Sequence, residues 1–406
     1  MNSNARPFAA LHPDIGTGPV STMPAVDPAF FEKEREHIFR KMWINMILRE
    51  EDLPNAGDYF VRDIEVLDVS VIVVRGDDGK LRAVHNVCPH RGNRLVREDG
   101  GNRKGFQCDF HGWVFDNQGE LVFVTDEQRF HDLDKPNLGL AKVHLDTWRG
   151  FVYVNLEETP SQTLEASMAD FNQDLKPFPF ENMVLAGRYR YEAKANWKTT
   201  MNAFQESYHA AFVHKRSVQQ CLEDDADPYL ASHRIKLQPN GNQSISVHLP
   251  PHELTPTEMI AYGMGATFTQ GGDADQAAIP GTAQEGIENW AFDLNIMFPF
   301  SRINVGAGWY YVDAFWPITH DRTVYELAFY FPIPTSAGAM ISQEYSKIVL
   351  RDLSREDLFT NEVTHNALRS GAIKSIQLSD QEIAVRHQYE KVTEFCGTES
   401  AGDDHE

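Results

Sequence analysis

The amino-acid sequence predicts an α+β protein in two parts, and three observations lead to this prediction. Between about residues 45 and 156, short runs of β-branched and aromatic residues such as Val66–Val74 are separated by turns rich in Gly, Asp and Asn. This pattern is typical of a compact all-β module. After residue 157, helix-like and strand-like segments are mixed. With 406 residues, the chain is also long enough for two or three domains.

The order of the segments supports this division. Residues 1–26 have the composition of an extended arm, after which Asp27 and Pro28 provide an N-cap and a first helical residue for a helix to about Trp43. The remaining predictions are helical segments at Leu164–Leu175, Asn196–Arg216 and Ser342–Val392 (broken near Gly371), loops with short elements over 224–286, strands at Phe292–Phe298, Arg302–Trp316 and Val324–Phe331, and a disordered tail over 397–406.

Composition excludes several classes of protein. The chain is 42% hydrophobic and 24% charged, as expected for a globular protein, and its net charge of −22 argues against binding nucleic acid. No apolar run approaches the roughly 20 residues of a membrane-spanning helix, and the N-terminus lacks the pattern of a signal peptide. We therefore expect a cytoplasmic protein with no membrane partner. Its four cysteines are too sparse for a disulfide scaffold.

Two of these cysteines lie beside histidines. Cys88 and His90 form a C-x-H motif, and Cys108 and His111 form a C-x2-H motif 17 residues further on. A glycine follows each histidine within two residues and allows the backbone to turn tightly. The spacing alone does not exclude a structural zinc ion held by two thiolates and two imidazoles. Each loop contributes one cysteine and one histidine, however, and this mixed pairing suits a [2Fe–2S] centre with two cysteines on one iron and two histidines on the other.

A second candidate site lies in the segment from Asn202 to His214. His209 and His214 are five residues apart, which places them about 140° apart on an ideal helix. They would share a face only if the helix ended or distorted between them. Taken alone, two histidines at this spacing favour a solvent-exposed position or a place in the core over a metal site.

The motifs together resemble those of the Rieske non-haem iron oxygenases, specifically the terminal oxygenase (alpha) subunits of the aromatic ring-hydroxylating type. The resemblance rests on C-P-H-R-G at 88–92, C-x2-H-G-W at 108–113, N-W-K at 196–198, and Asn-x3-acid-x2-His-x4-His from Asn202. It implies an all-β Rieske [2Fe–2S] domain over 45–156 and a helix-grip catalytic domain over 157–396. Residues 1–44 would then form an arm and a helix packing on the catalytic domain.

The resemblance also implies roles for individual residues. Cys88 and Cys108 would hold the inner iron of the cluster, and His90 and His111 the outer iron. Phe110 stands where relatives often have Tyr.

His209 and His214 would bind a mononuclear Fe(II) with a distant carboxylate, for which Asp357 is our prediction. Glu356 and Asp352 are alternatives, and an ordinary acidic helix start is the plain explanation of this run. Glu206 stands where the family usually has Asp, a carboxylate that bridges to the Rieske histidine of a neighbouring subunit. Asn202 matches a family position near the iron.

The implied function is a terminal oxygenase. Electrons from NAD(P)H would arrive through a ferredoxin or flavin reductase, and O2 would be used to hydroxylate or dihydroxylate an aromatic or other small apolar substrate. A monooxygenase or demethylase of a quaternary ammonium or methoxy compound is an alternative, because some carnitine oxygenases also have Glu at the position of Glu206. A one-electron carrier without oxygenase activity is a further alternative. The resemblance also implies a homotrimer, or a trimer with a small beta subunit. The basic residues around Arg91 form a candidate docking surface for the redox partner.

Overall fold

The computed structural model describes residues 7–217, 232–249, 251–265, 267 and 279–397. The chain forms two compact units. One consists of Phe39–Ser167, and the other combines Met1–Ile38 with Met168–Glu406. We call them the β unit and the catalytic unit. No helix among the described residues is both long and apolar enough to cross a membrane.

The β unit contains an antiparallel sheet of seven strands and a smaller sheet of three. Across the large sheet the strands are Ile44–Arg49, Phe151–Asn155, Lys142–Trp148, Leu81–His85, Val69–Arg75, Asp58–Ile64 and Gly100–Asn102. The small sheet consists of Gly105–Gln107, Val114–Asp116 and Leu121–Phe123. Ile72, Phe106 and Phe115 belong to one hydrophobic core that contains residues from both sheets. The predicted all-β module is confirmed.

The catalytic unit contains a second antiparallel sheet of seven strands. In order across the sheet they are Val184–Ala193, Arg322–Phe331, Trp309–Thr319, Ser301–Gly306, Trp290–Met297, Gln243–His248 and Ser232–Leu237. A separate pair joins Val20–Ser21 to Ser375–Ile376, so the N-terminal segment is hydrogen-bonded within this unit.

The α-helices of the described residues vary from one turn to nine. They are Phe8–Leu11, Met23–Val26, Pro28–Glu34, Leu164–Met168, Phe171–Asp174, Trp197–Asn202, Ala210–Val213, Pro256–Met264, Ala337–Arg369 and Ile383–Phe395. Asp27 caps the third helix, because its carboxylate accepts a hydrogen bond of 2.9 Å from the Ala29 N–H, as predicted. The predicted break near Gly371 is also confirmed, since this glycine adopts φ +68° just after the long helix (Ala337–Arg369).

The structure corrects two predictions of secondary structure. The predicted strand Arg302–Trp316 is two strands joined by a turn at Gly308, which adopts φ +79°. The predicted helix Asn196–Arg216 ends at Asn202 and resumes only for Ala210–Val213. The short elements predicted within region 224–286 are two strands, Ser232–Leu237 and Gln243–His248, and the helix Pro256–Met264. Residues 224–231, 250, 266 and 268–278 of that region, and residues 398–406 of the predicted tail, lie outside the described residues.

Tertiary contacts explain the interrupted helix. The Phe204 carbonyl accepts a hydrogen bond of 2.8 Å from Arg302 Nη1 instead of continuing a helical ladder. The Glu206 carboxylate then accepts a hydrogen bond of 3.2 Å from the backbone N–H of His209, where the next helical turn begins. A carboxylate at this position satisfies an N–H group that has no partner within the helix. Both contacts depend on side chains whose orientation a local pattern does not specify.

A buried ion pair joins the third helix, Pro28–Glu34, to the helix Trp197–Asn202. Lys198 Nζ lies 2.5 Å from Glu34 Oε1, and neither side chain is exposed. Trp197 Nε1 donates a hydrogen bond of 3.1 Å to Glu34 Oε2. Burial raises the pKa of Glu34 and lowers the pKa of Lys198, and the attraction between the two charges opposes both shifts. Two residues of the N-W-K motif therefore contact one buried carboxylate.

Candidate metal centres

The two cysteine–histidine loops of the β unit have the same backbone hydrogen bonds. In the first loop, Cys88 N donates to Asn93 O at 2.8 Å and Gly92 N donates to Cys88 O at 2.9 Å. In the second, Cys108 N donates to Trp113 O at 2.8 Å and Gly112 N donates to Cys108 O at 2.9 Å. Both glycines have positive φ, +77° and +71°, which L-residues adopt at a cost. The loops therefore present their donors in equivalent ways.

The donors of the two loops lie at different depths. The thiols of Cys88 and Cys108 are buried, whereas the rings of His90 and His111 are half-buried, with their centroids 4.6 Å apart. The Nδ1 atoms of both rings are buried and have no hydrogen-bond partner among the described residues. Imidazole nitrogens without partners beside two buried thiols fit a cluster with sulfur ligands inside and nitrogen ligands outside.

Neighbouring groups support these donors. The ring of His90 stacks on Trp113 at 4.7 Å. Asn93 Nδ2 lies 3.7 Å from Cys108 Sγ, within hydrogen-bonding distance of sulfur. Burial raises the pKa of the Cys88 thiol, and the His90 backbone N–H, which donates to the sulfur, partly offsets this rise. The half-exposed ring of Phe110 packs at 3.9 Å from the ring of His111 and carries no hydroxyl for a hydrogen bond.

In the catalytic unit, the structure brings together His209, His214 and Asp357. The three atoms His209 Nε2, His214 Nε2 and Asp357 Oδ1 are each 3.2 Å from the other two. Neighbouring ligands about 2.1 Å from one ion are about 3.0–3.4 Å apart for angles between those of an octahedron and a tetrahedron, so the three atoms are spaced to bind one ion together. This is the arrangement of a facial triad of two histidines and one carboxylate.

The interrupted helix makes this convergence possible. His209 immediately precedes the single turn Ala210–Val213 and His214 immediately follows it. The two side chains therefore extend from opposite ends of one turn and not from one helical face, which resolves the problem of their five-residue spacing. Asp357 approaches from the long helix, where its side chain is almost fully buried.

The Nδ1 atom of each histidine, which is not part of the three-atom cluster, is within hydrogen-bonding distance of a carboxylate. Glu206 Oε1 lies 2.5 Å from His209 Nδ1, and Glu356 Oε2 lies 2.9 Å from His214 Nδ1. Such partners fix the tautomer and the orientation of metal-binding histidines. Burial opposes the charged form, but the carboxylates of Asp357 and Glu206 raise the pKa of His209 to about 10. A metal ion at this site would therefore displace a proton.

The structure separates the three acids considered for the third position. Glu356 faces the far nitrogen of His214 and also binds the hydroxyl of Ser217. Asp352 is partly exposed and pairs with Arg351 at 2.8 Å. Asp357 alone among these three has an oxygen at the centre of the cluster. Asn202 ends the helix before the histidines, and its Oδ1 is buried without a hydrogen-bond partner among the described residues.

Sequence reasoning missed a buried polar network beside the triad. Arg302 Nε donates to Asp313 Oδ1 at 2.9 Å, and the Tyr325 hydroxyl donates to Asp313 Oδ2 at 2.9 Å. The same hydroxyl lies 3.3 Å from Ser354 Oγ, one turn before Asp357 on the long helix. With the bond from Arg302 to the Phe204 carbonyl, the network joins the two segments that supply the triad. Only the cross-strand register brings Arg302 opposite Asp313.

Fold and sites together define a protein with a Rieske-type cluster domain and a non-haem iron domain in one chain. Residues 43–138 match the Rieske [2Fe-2S] domain family. Residues 180–398, more than half of the chain, match the family of the ring hydroxylating alpha subunit (catalytic domain). The chain belongs to this family of ring-hydroxylating alpha subunits. The predicted family and the two cofactors, a Rieske [2Fe–2S] cluster and a mononuclear iron, are confirmed.

Characterised relatives match about half of the chain. The carnitine monooxygenase oxygenase subunit of Escherichia coli (strain K12) is 31% identical over 218 residues, which cover 52% of this chain and 58% of that protein. The biphenyl 2,3-dioxygenase subunit alpha of Rhodococcus jostii (strain RHA1) is 32% identical over 220 residues, or 53% and 47% of the two chains. The chain thus spans about half the length of the curated relatives it matches.

Solved structures match over almost the whole chain. A quaternary ammonium Rieske monooxygenase in complex with an inhibitor superimposes with a TM-score of 0.75 at 20% identity, covering 97% of this chain and 99% of the other. The naphthalene 1,2-dioxygenase from Rhodococcus sp. bound to indole gives a TM-score of 0.75 at 20% identity, covering 96% of each chain. At this level of identity the likeness establishes the fold, and the predicted α+β class is confirmed.

Proposed function

We propose that the chain is the terminal component of an oxygenase system. Electrons that come ultimately from NAD(P)H arrive from a ferredoxin or flavin reductase, pass through the Rieske cluster, and reach a mononuclear Fe(II) at which O2 is used. The observation that carries this proposal is the presence of both donor sets in one chain, above all the three atoms 3.2 Å apart at His209, His214 and Asp357.

In this proposal each predicted ligand keeps its role. Cys88 and Cys108 hold the inner iron, and His90 and His111 hold the outer iron. His209, His214 and Asp357 hold the mononuclear iron. The cluster would supply electrons one at a time, and the Fe(II) would supply open coordination positions for O2.

The surrounding residues orient the ligands and hold protons. Glu206 holds the proton of His209 on Nδ1 and leaves Nε2 for the metal, and Glu356 does the same for His214. We also propose that Glu206 is the bridge to the Rieske histidine of a neighbouring subunit, and that Asn202 faces the iron site. The reach of Glu suits a bridge longer than one made by Asp, since Glu has one more methylene.

For the substrate we propose an aromatic or other small apolar molecule that is hydroxylated or dihydroxylated, as in aromatic hydrocarbon catabolism. The second candidate is a monooxygenase or demethylase of a quaternary ammonium or methoxy compound. Two observations favour this second candidate: Glu206 stands at the acidic position before His209, and carnitine monooxygenase oxygenase subunits are among the similar proteins. A one-electron carrier is the candidate from another class.

Assembly and domain limits are part of the proposal. We propose a homotrimer, or a trimer with a small beta subunit, in the cytoplasm. The proposed limits are an N-terminal arm and helix at 1–44, a Rieske domain at 45–156, a catalytic domain at 157–396 and a tail at 397–406.

The test is to count iron and product in the same preparation. We expect about three iron atoms per chain, two in the cluster and one in the triad. His209→Ala should retain the cluster spectrum, lose one iron and form no product, whereas His144→Ala, a control in the β unit, should behave as wild type. Two iron atoms in the wild type would favour the electron carrier. Product formation by His209→Ala would exclude His209 as an essential ligand.

A further inference from the structure

Two buried carboxamides in the catalytic unit have unused hydrogen-bonding groups. The side chains of Asn304 and Gln205 are completely buried. Both the oxygen and the nitrogen of each carboxamide lack a hydrogen-bond partner among the described residues. Buried polar groups are nearly always paired, because removing them from water without a new partner is unfavourable. Two carboxamides with four unused atoms therefore require an explanation.

Each carboxamide is one or two residues along the chain from a residue that supports the triad. Asn304 is two residues from Arg302 on the same strand, so both side chains point to the same face, about 7 Å apart along the strand. Arg302 Nη1 donates to the carbonyl of Phe204, which immediately precedes Gln205. Gln205 is followed by Glu206, the carboxylate that holds His209.

The cross-strand neighbour of Asn304 also links it to the metal triad. Asn304 lies directly opposite Tyr311 in the sheet. Burial raises the pKa of Tyr311; Arg302 opposes this rise, and the negative charges of Asp313 and Asp357 add to it. On the same face, Asp313 lies two residues from Tyr311 and accepts a hydrogen bond from the Tyr325 hydroxyl, which lies 3.3 Å from Ser354 Oγ on the helix that carries Asp357. The face of the sheet that carries Asn304 is the face turned towards the triad.

We propose that Asn304 and Gln205 bind a polar group of the substrate. A carboxamide both donates and accepts hydrogen bonds, so the matching group is a hydroxyl, a carbonyl or a carboxylate. This inference rests on the proposed function and narrows the substrate class: the substrate carries such a group and is not an unsubstituted hydrocarbon. A site with unpaired polar groups binds such a molecule in preference to an analogue that lacks the group.

The first test is the thermal stability of the iron-loaded protein without substrate. Asn304→Leu removes two unpaired polar atoms and keeps the number and branching of the side-chain heavy atoms, so we expect Tm to stay within about 2 °C of wild type or to rise. Asn242→Leu is the matched control, because Asn242 is also buried but accepts a hydrogen bond of 3.0 Å from Phe298 N. Its Tm should fall. A fall of similar size for Asn304→Leu would overturn the inference.

The second test is ligand binding, measured as the shift of Tm with concentration for paired probes. The pairs are phenol and benzoate against toluene, and L-carnitine against tetramethylammonium. In at least one pair, the wild type should bind the probe with the hydroxyl or carboxylate at least about tenfold more tightly. Asn304→Leu should reduce that preference by about tenfold and leave the binding of the other probe unchanged. No preference in any pair, or an unchanged preference in the variant, would overturn the inference.

The two proposals fail in different ways. Binding is measured without turnover, so a protein that prefers the polar probes but lacks the mononuclear iron would contradict only the proposed function. A protein with three iron atoms that binds and oxidises toluene as well as phenol and benzoate, and shows no preference in the other pair, would contradict only this inference.

Discussion

The Glu356 carboxylate offers the sharpest test of how the triad is held. Replacing Glu356 with Ala removes the partner of His214 Nδ1 at 2.9 Å and leaves the three proposed ligands in place. A hydrogen bond to a charged group contributes about 1.5–3 kcal/mol, which corresponds to about 10–150-fold in a binding constant. Because 22% of the Glu356 side chain is exposed, we expect the lower end, about 10–30-fold weaker Fe(II) binding.

The assay is anaerobic competition for Fe(II) between the protein and a graded series of chelators. The absorbance of the [2Fe–2S] cluster, which lies in the other unit, serves as an internal reference and should not change. Asp352→Ala is the matched control, since Asp352 is an acid one turn earlier on the same helix and pairs with Arg351. Equal Fe(II) affinity in Glu356→Ala and wild type, or an equal loss in the control, would refute the assigned role of Glu356.

Three further predictions concern stability and electron transfer. Lys198→Met should lower the free energy of unfolding by about 3–5 kcal/mol, because it leaves Glu34 buried without its counterion. In denaturant titrations, the double variant with Glu34→Leu should recover most of this lost stability. Burial, followed by the charge of Lys391, lowers the pKa of His387 from 6.5 to about 4. The folded state therefore favours the neutral ring. This preference contributes about 3 kcal/mol to the free energy of unfolding above pH 6.5, and the contribution is lost as the pH falls towards 4. His387→Gln should therefore lose less unfolding free energy between these two pH values. Arg91→Glu should slow cluster reduction by the redox partner most strongly at low ionic strength, and a stopped-flow rate whose change does not depend on salt would argue against a docking role.

The local motifs were the predictable part of the site. The cysteine–histidine loops and the two histidines of the catalytic unit are defined over short stretches of sequence, so residues that are close in the chain are also close in space. The all-β module was predictable for the same reason, since its strands alternate with recognisable turns. Asp357 was chosen through the resemblance, and the structure places it with His209 and His214.

The remaining parts depend on contacts between distant residues. The break after Asn202 follows from the bond between Arg302 and the Phe204 carbonyl, which are 98 residues apart. The role of Glu356 could not be distinguished from that of Asp357 by sequence, because the two are adjacent and only the fold shows which one faces the centre. His214 lies 142 residues from Glu356, and no local pattern relates them.

The way the chain enters and leaves the β unit has a practical consequence for protein engineering. Ile44 near its start pairs with Val154 near its end, and Trp43 Nε1 donates a hydrogen bond of 2.9 Å to Gln162 O. The β unit is thus a cassette that both begins and ends at one edge of its own large sheet. Such cassettes tolerate excision and transplantation better than modules whose ends lie far apart. A truncation at one junction alone would remove either Glu34 or Lys198 from the chain and leave the other charge buried without its partner. A deletion variant should therefore remove residues 39–167 as a single block.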